Sequence, residues 1–191
     1  MTVRTPRLWD IGRYGSPMGR FNLQFDVREV KAYASRYAYE DDSVVLAIGR
    51  TARRRGQYTR DEFVAVCRWK TPRSGPLVAT NTAREIEIAT RIALSEGSTD
   101  RERMGALRSL AGVEFPTASV LLHLAYPERY PILDKRALHA LGVRAPATYS
   151  FGLWSEYVEE YRRLAEAAGV DGRTLDRALW QWSSEQGLLL Y

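Results

Sequence analysis

The spacing of apolar residues along the chain predicts a protein built from helices. Few stretches alternate apolar and polar residues with the period of two typical of strands, whereas apolar residues recur three and four positions apart. Two amphipathic stripes near the C-terminus are separated by Gly169, a helix terminator, and Asp171, a helix cap. The stripes are Val158, Tyr161, Leu164, Ala165 and Ala168, then Leu175, Ala178, Leu179 and Trp182. The whole pattern predicts about eight helices and an all-α fold.

Start signals locate several of the predicted helices. Three segments match the capping box, in which a threonine and the glutamate three positions later each accept a hydrogen bond from the other's backbone N–H. These segments begin at Thr59, Thr82 and Thr99. We expect the helix after Thr82 to end at Gly97, because glycine readily adopts the left-handed conformation that terminates helices.

Other boundaries rest on weaker local signals. Asp26 is expected to cap a helix that runs to about Tyr39, and the acidic cluster 41–43 is expected to open the next one. Residues 1–22 and 71–76 are predicted to be irregular, since glycine and proline are frequent in them. The last four residues are too apolar for a free tail, so we expect them to dock on the domain.

Length and composition limit the classes of protein. With 191 residues, 45% of them hydrophobic, the chain is expected to form one domain. Its one cysteine, Cys67, and two histidines exclude an internal disulfide framework and argue against a metal site, so we expect neither metal nor cofactor. No apolar run is long enough to span a membrane and no signal peptide is recognisable, which indicates a cytoplasmic protein.

The charge is compatible with an anionic partner. The formal net charge is +5, and nucleic acid is the usual partner of a basic protein. Nearly all basic residues are arginines, so amine chemistry is restricted to Lys31, Lys70, Lys135 and the N-terminus. The densest basic run, Arg50 with residues 53–55, fits either a DNA backbone or the C-terminal end of a helix, and the second interpretation is favoured.

The most informative segment runs from residue 109 to residue 142. Residues 110–118, Leu-Ala-Gly-Val-Glu-Phe-Pro-Thr-Ala, connect two predicted helices through a turn too short to be a simple linker. Such a hairpin leaves backbone N–H groups at the start of its second helix, which suits a phosphate. Asp134 follows this second helix and precedes another predicted helix.

This segment resembles the helix-hairpin-helix (HhH-GPD) DNA glycosylases. Five hairpin residues match the family pattern, and Asp134, 18 residues after Pro116, falls where the family carries its catalytic aspartate. The matching hairpin residues are Leu110, Gly112, Val113, Thr117 and Ala118. The resemblance implies a two-lobed helical fold with its helix-hairpin-helix at about 99–126.

Three residues depart from the family pattern. Glu114 replaces the second glycine of the hairpin and puts a carboxylate where a DNA phosphate should approach. Ala111 replaces a proline, which is a mild change. Pro116 occupies the position of the lysine nucleophile of bifunctional members, so the resemblance implies a monofunctional enzyme without lyase activity.

The resemblance also implies roles for individual residues. Asp134 would stabilise the positive charge that develops on deoxyribose as the base leaves, or activate water; local sequence alone favours a simple helix cap. Contacts with DNA would come from the hairpin and from the start of the following helix, at Gly112, Val113, Glu114, Thr117, Lys135 and Arg136. Lys135 has two further interpretations, as an amine nucleophile and as a solvated surface lysine, and the second is favoured.

A flipped base needs a pocket of aromatic and polar groups. The candidates for lining that pocket are Trp69, Lys70, Tyr126 and Tyr130. Three of them have a simpler interpretation as well: Trp69 and Tyr130 as packed aromatics, and Lys70 as a cation at a helix C-terminus.

The sequence thus predicts a monofunctional DNA glycosylase that hydrolyses the N-glycosidic bond of a damaged or modified base in duplex DNA, without sequence-specific contacts. We expect residues 1–191 to form a single two-lobed helical domain, with a monomer favoured. Its parts are an irregular segment 1–22, the hairpin and catalytic loop 99–142, and C-terminal helices 150–187. The alternatives are a non-catalytic DNA-binding protein that keeps the glycosylase fold and a helical protein-interaction subunit.

Overall fold

The computed structural model describes residues 19–37 and 42–187. This part of the chain contains helices and no β-strand, which confirms the all-α prediction. Two short 3-10 helices lie at Val27–Glu29 and Pro72–Ser74. The α-helices are α1 (Val30–Ser35), α2 (Ser43–Arg55), α3 (Arg60–Lys70), α4 (Gly75–Val78), α5 (Ala83–Leu94), α6 (Asp100–Arg108), α7 (Phe115–Ala125), α8 (Lys135–Ala140), α9 (Phe151–Ala168) and α10 (Gly172–Glu185).

The local start signals are confirmed. All three predicted capping boxes form, at the starts of α3, α5 and α6. Asp171 caps α10, and Gly169 ends α9 in the left-handed conformation with a φ of 58°. These signals are reliable because both partners of each interaction lie within one helical turn.

Several predicted boundaries are wrong. Asp26 caps the 3-10 turn, but the helix beyond it ends at Ser35, short of Tyr39. α5 ends at Leu94, before Gly97, because Ser95 already has an extended backbone. Instead of an irregular stretch at 71–76 there is the second 3-10 helix and the start of α4. The described residues hold ten α-helices instead of about eight, since α4 in particular is too short to show a periodic pattern.

α7 is the central helix of the larger group of helices. Every α7 residue except Pro116 is buried, and α2, α3, α5 and α6 all pack against it. A helix that is apolar on all sides is expected at the centre of a core. α2 packs tightly against α7 at Gly49, where a β-carbon would lie 2.1 Å from the backbone oxygen of Leu124.

A second group of helices forms around α10, against which α1, α8 and α9 pack. The segment before the first 3-10 helix adds to this group through the buried side chains of Phe21, Leu23 and Phe25. Backbone N–H groups of Asn22 and Gln24 donate to the carbonyl oxygens at the end of α8, at 2.8 and 2.9 Å. Residues 19–25 are therefore anchored, although the sequence pattern indicated irregular structure up to residue 22.

The terminal predictions fall partly outside the described residues. This holds for residues 1–18 and for the expected docking of residues 188–191. Between residues 19 and 187, leaving aside 38–41, no helix has both the length and the apolar character needed to cross a bilayer.

Candidate active site

Asp134 caps α8 and is held in place by the loop before it. Its backbone is extended, and its Oδ1 accepts a hydrogen bond from the backbone N–H of Ala137 at 2.7 Å. In the preceding loop, the N–H of Leu133 donates to Ser119 Oγ at 2.9 Å, and the Tyr157 hydroxyl donates to the oxygen of Ile132 at 3.2 Å. Because these anchors are buried, the loop presents Asp134 in a defined position.

The second carboxylate oxygen of Asp134 faces Lys70. Lys70 Nζ, at the end of α3, donates to Asp134 Oδ2 at 3.2 Å. The two side chains are 15% and 22% exposed, Lys70 being the less accessible. Asp134 thus caps α8 with one carboxylate oxygen and forms a partly buried ion pair with the other. The role of helix cap is therefore compatible with the predicted role of catalytic carboxylate, because the cap uses only one of the two oxygens.

Both residues line a cleft of about 370 Å³ between α3, α8 and α10. Five basic and two acidic side chains contribute to its walls, together with three large aromatic ones, so the cleft is basic and able to stack a flat ring. The full lining is Tyr37, Trp69, Lys70, Arg73, Ile132, Asp134, Lys135, Arg136, Arg173, Asp176 and Trp180. Five residues that the sequence singled out meet here: Trp69, Lys70, Asp134, Lys135 and Arg136.

One end of the cleft is a buried ionic cluster centred on Arg173. Its Nε donates to Asp42 Oδ2 at 2.9 Å, and its guanidinium also pairs with Asp176. Arg177 donates to the other oxygen of Asp42 at 2.9 Å. Burial alone would raise the pKa of Asp42, but hydrogen bonds and charge from Arg173 and Arg177 outweigh it, and the pKa is lowered.

This cluster corrects the interpretation of Asp42. The sequence predicts that the acidic cluster 41–43 opens a helix. Asp42 does directly precede α2, but its side chain does not cap this helix. The carboxylate turns inward to the two arginines of α10 because a buried guanidinium requires an acidic partner.

Aromatic residues form the wall beside the cluster. The Trp180 and Tyr37 rings meet edge to face with centroids 5.3 Å apart, and the guanidinium of Arg136 lies 4.9 Å from the centroid of Trp180. Burial raises the pKa of the Tyr37 hydroxyl to about 12, so this group remains a neutral phenol at physiological pH. Neither Tyr37 nor Trp180 is among the pocket residues that the sequence predicts.

Tyr126 and Tyr130 do not line this cleft, which corrects their expected place in the base pocket. The Tyr126 hydroxyl donates to the oxygen of Leu94 at 2.8 Å, on the side of α5. Tyr130 is fully buried, stacks on Trp154 with centroids 5.8 Å apart, and donates to Asp100 at 2.6 Å. Both hydroxyls are bound to other parts of the protein, away from the cleft, so neither ring contributes to its walls.

In the segment where the helix-hairpin-helix is predicted, α6 and α7 flank the turn 109–114. Gly112 has a φ of 76°, the left-handed conformation that favours glycine. Val113 and Thr117 are buried, and the N–H of Val113 donates to the oxygen of Leu110 at 3.2 Å, so the side chains of these two residues are not at the surface where DNA contacts were expected. The Glu114 side chain is 76% exposed and pairs with Arg108 at 3.1 Å, so a carboxylate does stand at the tip.

Two arginines of the basic run at the end of α2 are engaged with other parts of the protein. Arg53 donates to Glu128 at 3.0 Å and lies over the Tyr126 ring, while Arg55 pairs with Glu62. These contacts support the favoured interpretation of the run as a helix end.

The described residues contain no group of three or more histidine, cysteine, aspartate or glutamate side chains placed to hold a metal ion. Comparison with protein-family models, curated proteins and solved structures found no match to this chain.

Proposed function

We propose that the protein is a DNA glycosylase that hydrolyses the bond between deoxyribose and a damaged or modified base. One observation carries the proposal: Asp134 faces a basic, aromatic cleft from the start of the helix that follows the hairpin-containing segment. The cleft volume of about 370 Å³ lies within the range of small-molecule sites, about 300 to 1,000 Å³. In this proposal the helix groups around α7 and α10 correspond to the two lobes of the glycosylase fold.

Each wall of the cleft has a role in the proposed reaction. Trp69 and Trp180 offer faces for stacking the flipped base. Arg73, Lys135 and Arg136 supply positive charge for the flanking phosphates. The hairpin would hold the strand through backbone N–H groups at the start of α7.

Asp134 acts on the sugar. As the glycosidic bond breaks, positive charge develops at the anomeric carbon, and a fixed carboxylate beneath it lowers the energy of that state. The cap to Ala137 and the ion pair with Lys70 hold both carboxylate oxygens in position before the substrate arrives. Preorganisation of this kind removes the cost of reorienting a charge during the reaction.

The test is release of free base from duplexes that each carry one of a broad panel of lesions, with enzyme in excess over DNA. Asp134→Asn keeps an oxygen to cap α8 but removes the charge, so we expect base release to fall by about 100-fold or more with the fold intact. Asp171→Asn is the matched control, since Asp171 caps α10 through the N–H of Thr174 and does not line the cleft.

No released base from any duplex, with intact DNA binding, would overturn the glycosylase proposal. The exposed carboxylate of Glu114 and the ion pair that neutralises Asp134 favour, as a second candidate, a non-catalytic DNA-binding protein. That protein would bind duplex DNA in a salt-sensitive manner, and Asp134→Asn would not weaken the binding. Absence of DNA binding even at low salt would instead favour a helical protein-interaction subunit.

A further inference from the structure

The cleft carries more positive charge than its own acidic residues neutralise. Both of its acidic side chains are paired with basic ones, Asp134 with Lys70 and Asp176 with Arg173. Within residues 19–37 and 42–187, the other basic residues of the lining have no acidic partner: Arg73, Lys135 and Arg136. A ligand that enters the cleft therefore meets uncompensated positive charge.

Arg136 differs from the other two cations in its burial. Arg73 and Lys135 are exposed, as expected of side chains that bind phosphates in solvent. Arg136 is half-buried, and its guanidinium lies 4.9 Å from the centroid of the Trp180 ring. Its Nη1 is shielded from solvent and makes no hydrogen bond within the described residues. Because buried N–H groups are nearly always paired, an unpaired one in the wall of a cleft indicates that a ligand supplies an acceptor.

We propose that Arg136 is a specificity-determining residue whose guanidinium donates a hydrogen bond to a ring carbonyl oxygen of the flipped base. The substrate class is then a neutral base that carries such a carbonyl, as deaminated and oxidised bases do. The inference rests on the proposed function, since it requires a base in the cleft. It assigns the hydrogen bonds of Arg136 to the base instead of to a flanking phosphate, whereas Arg73 and Lys135 keep the phosphate role.

The position of the guanidinium suits this contact. Arg136 lies in the first turn of α8, two residues after the Asp134 cap, so one helix start positions both the carboxylate and the arginine. A base stacked on the part of the Trp180 ring that the guanidinium leaves uncovered would meet it edge to edge. A carbonyl at that edge accepts a hydrogen bond, whereas an amino group would set donor against donor.

The charge of the cleft favours a neutral base over a cationic one. When the glycosidic bond of a neutral base breaks, both electrons of the C–N bond go to the base, which leaves as an anion. Water adds its hydroxyl to the anomeric carbon, and its proton ends on the base. A guanidinium at the carbonyl oxygen stabilises the negative charge that spreads there. An N-alkylated purine is already cationic, so the cleft repels it on entry, and it departs as a neutral molecule.

The experiment measures release of free base from five duplexes with the full chain in excess over DNA. Hypoxanthine, uracil and 8-oxoguanine are neutral and carry a ring carbonyl, ethenoadenine is neutral and carries none, and 7-methylguanine is cationic. After subtraction of spontaneous release, we expect at least one carbonyl-bearing neutral base to be released about tenfold or more faster than ethenoadenine and 7-methylguanine.

Arg136→Met tests the residue itself, since methionine removes the donors and the charge and keeps an extended side chain. We expect it to lower release of the preferred base by about tenfold or more, with little change in thermal midpoint, because the donor it removes is unpaired. Arg136→Lys keeps the charge and should also lose the preference, because an ammonium lacks the planar fork of a guanidinium.

Lys135→Met is the matched control, because it removes the same charge at the adjoining position. It should weaken strand binding and so slow release of every base by the same factor, which leaves the preference between bases unchanged. Binding to a duplex with a tetrahydrofuran residue, which has no base, separates the two roles further. Lys135→Met should weaken this binding more than Arg136→Met does.

Three results would overturn the inference and leave the glycosylase proposal standing, since free base is released in each. They are preferred release of ethenoadenine or 7-methylguanine, a wild-type preference in Arg136→Met, and a loss of affinity for the base-free duplex as large in Arg136→Met as in Lys135→Met. The last would show that Arg136 holds a phosphate. No release from these duplexes or from the wider lesion panel would instead contradict the proposed function, and the inference with it.

Discussion

Asn81 holds the backbone of Ala111 through two hydrogen bonds. Its Oδ1 accepts from the N–H of Ala111 at 2.8 Å, and its Nδ2 donates to the oxygen of Ala111 at 3.0 Å. Asn81 follows α4, and Ala111 lies at the tip of the hairpin, so this amide fixes the turn that is proposed to meet DNA. Nothing in the spacing of the two residues, 30 positions apart, indicates the contact.

Asn81→Ala is expected to destabilise the protein by about 1 to 3 kcal/mol, because it leaves buried polar groups of the turn without partners. Denaturation in urea measures the change. Thr80→Ala is the neighbouring control: its hydroxyl is exposed and bonds only to the oxygen of Leu77, so the change should stay within about 0.5 kcal/mol. If the two substitutions change the free energy of unfolding equally, the two hydrogen bonds between Asn81 and Ala111 do not contribute to stability.

Gly49→Ala tests the close packing of α2 on α7. The new β-carbon would lie 2.1 Å from the backbone oxygen of Leu124, which cannot move without shifting the central helix. We expect a loss of about 3 kcal/mol or more. Gly105→Ala, inside α6 with no atom within 4 Å of the added carbon, should instead stabilise the protein by roughly 0.5 to 1 kcal/mol. Chemical denaturation of both variants gives the comparison, and a Gly49→Ala protein as stable as wild type would contradict this packing.

The helix caps could be predicted because both partners of each cap lie within a few residues of each other. The residues that line the cleft could be predicted only in part. The hairpin and Asp134 came from a resemblance, and Trp69 and Lys70 from their place at a helix end. Asp42 was interpreted as part of a helix start because its true partner, Arg173, is 131 positions away.

Single-sequence patterns also failed to separate packing aromatics from those in the cleft. Tyr126 and Tyr130 flank the loop before Asp134, yet their rings turn into the core. Tyr37 and Trp180 form a wall of the cleft from distant segments. Which ring faces the cavity depends on how α1, α8 and α10 pack, and helical periodicity does not specify that packing.

His123 should make the protein less stable in mild acid. It is fully buried in α7, and its Nδ1 lies 2.8 Å from the oxygen of Tyr130, so the ring is expected to be neutral and to donate there. Burial lowers its pKa below the ordinary value of 6.5, so the unfolded chain binds the proton more readily than the folded one. The neutral His123 ring therefore makes its full contribution to the free energy of unfolding above about pH 6.5. This contribution decreases as the pH falls through the lowered pKa.

Thermal midpoints at pH 7.5, 6.5 and 5.5 measure this effect. The thermal midpoint of His123→Gln should be below that of the wild type at every pH. Between pH 7.5 and pH 5.5, however, it should fall by less than the wild-type midpoint, because glutamine does not titrate. An identical pH profile in the variant would assign the acid sensitivity to other groups.

Glu114→Gln should strengthen duplex binding if the hairpin meets the DNA backbone. The side chain is 76% exposed at the tip, so its negative charge opposes a phosphate approaching the turn, and its removal also frees Arg108 to bind that phosphate. One unit charge about 4 Å from another in water contributes about 1 kcal/mol, so we expect affinity to rise about twofold to fivefold at low salt. The gain should shrink as added salt screens the charge.

The matched control for this substitution is Glu159→Gln, an exposed carboxylate on α9 outside the cleft and the hairpin. Both variants change net charge by the same amount, so only a local contact can make their affinities differ. Fluorescence anisotropy with one duplex at several salt concentrations gives both affinity and salt slope. If the two substitutions strengthen binding equally, the effect comes from total charge and the hairpin is not the DNA-contacting surface; the cleft would then have to capture its strand through Arg73, Lys135 and Arg136 alone.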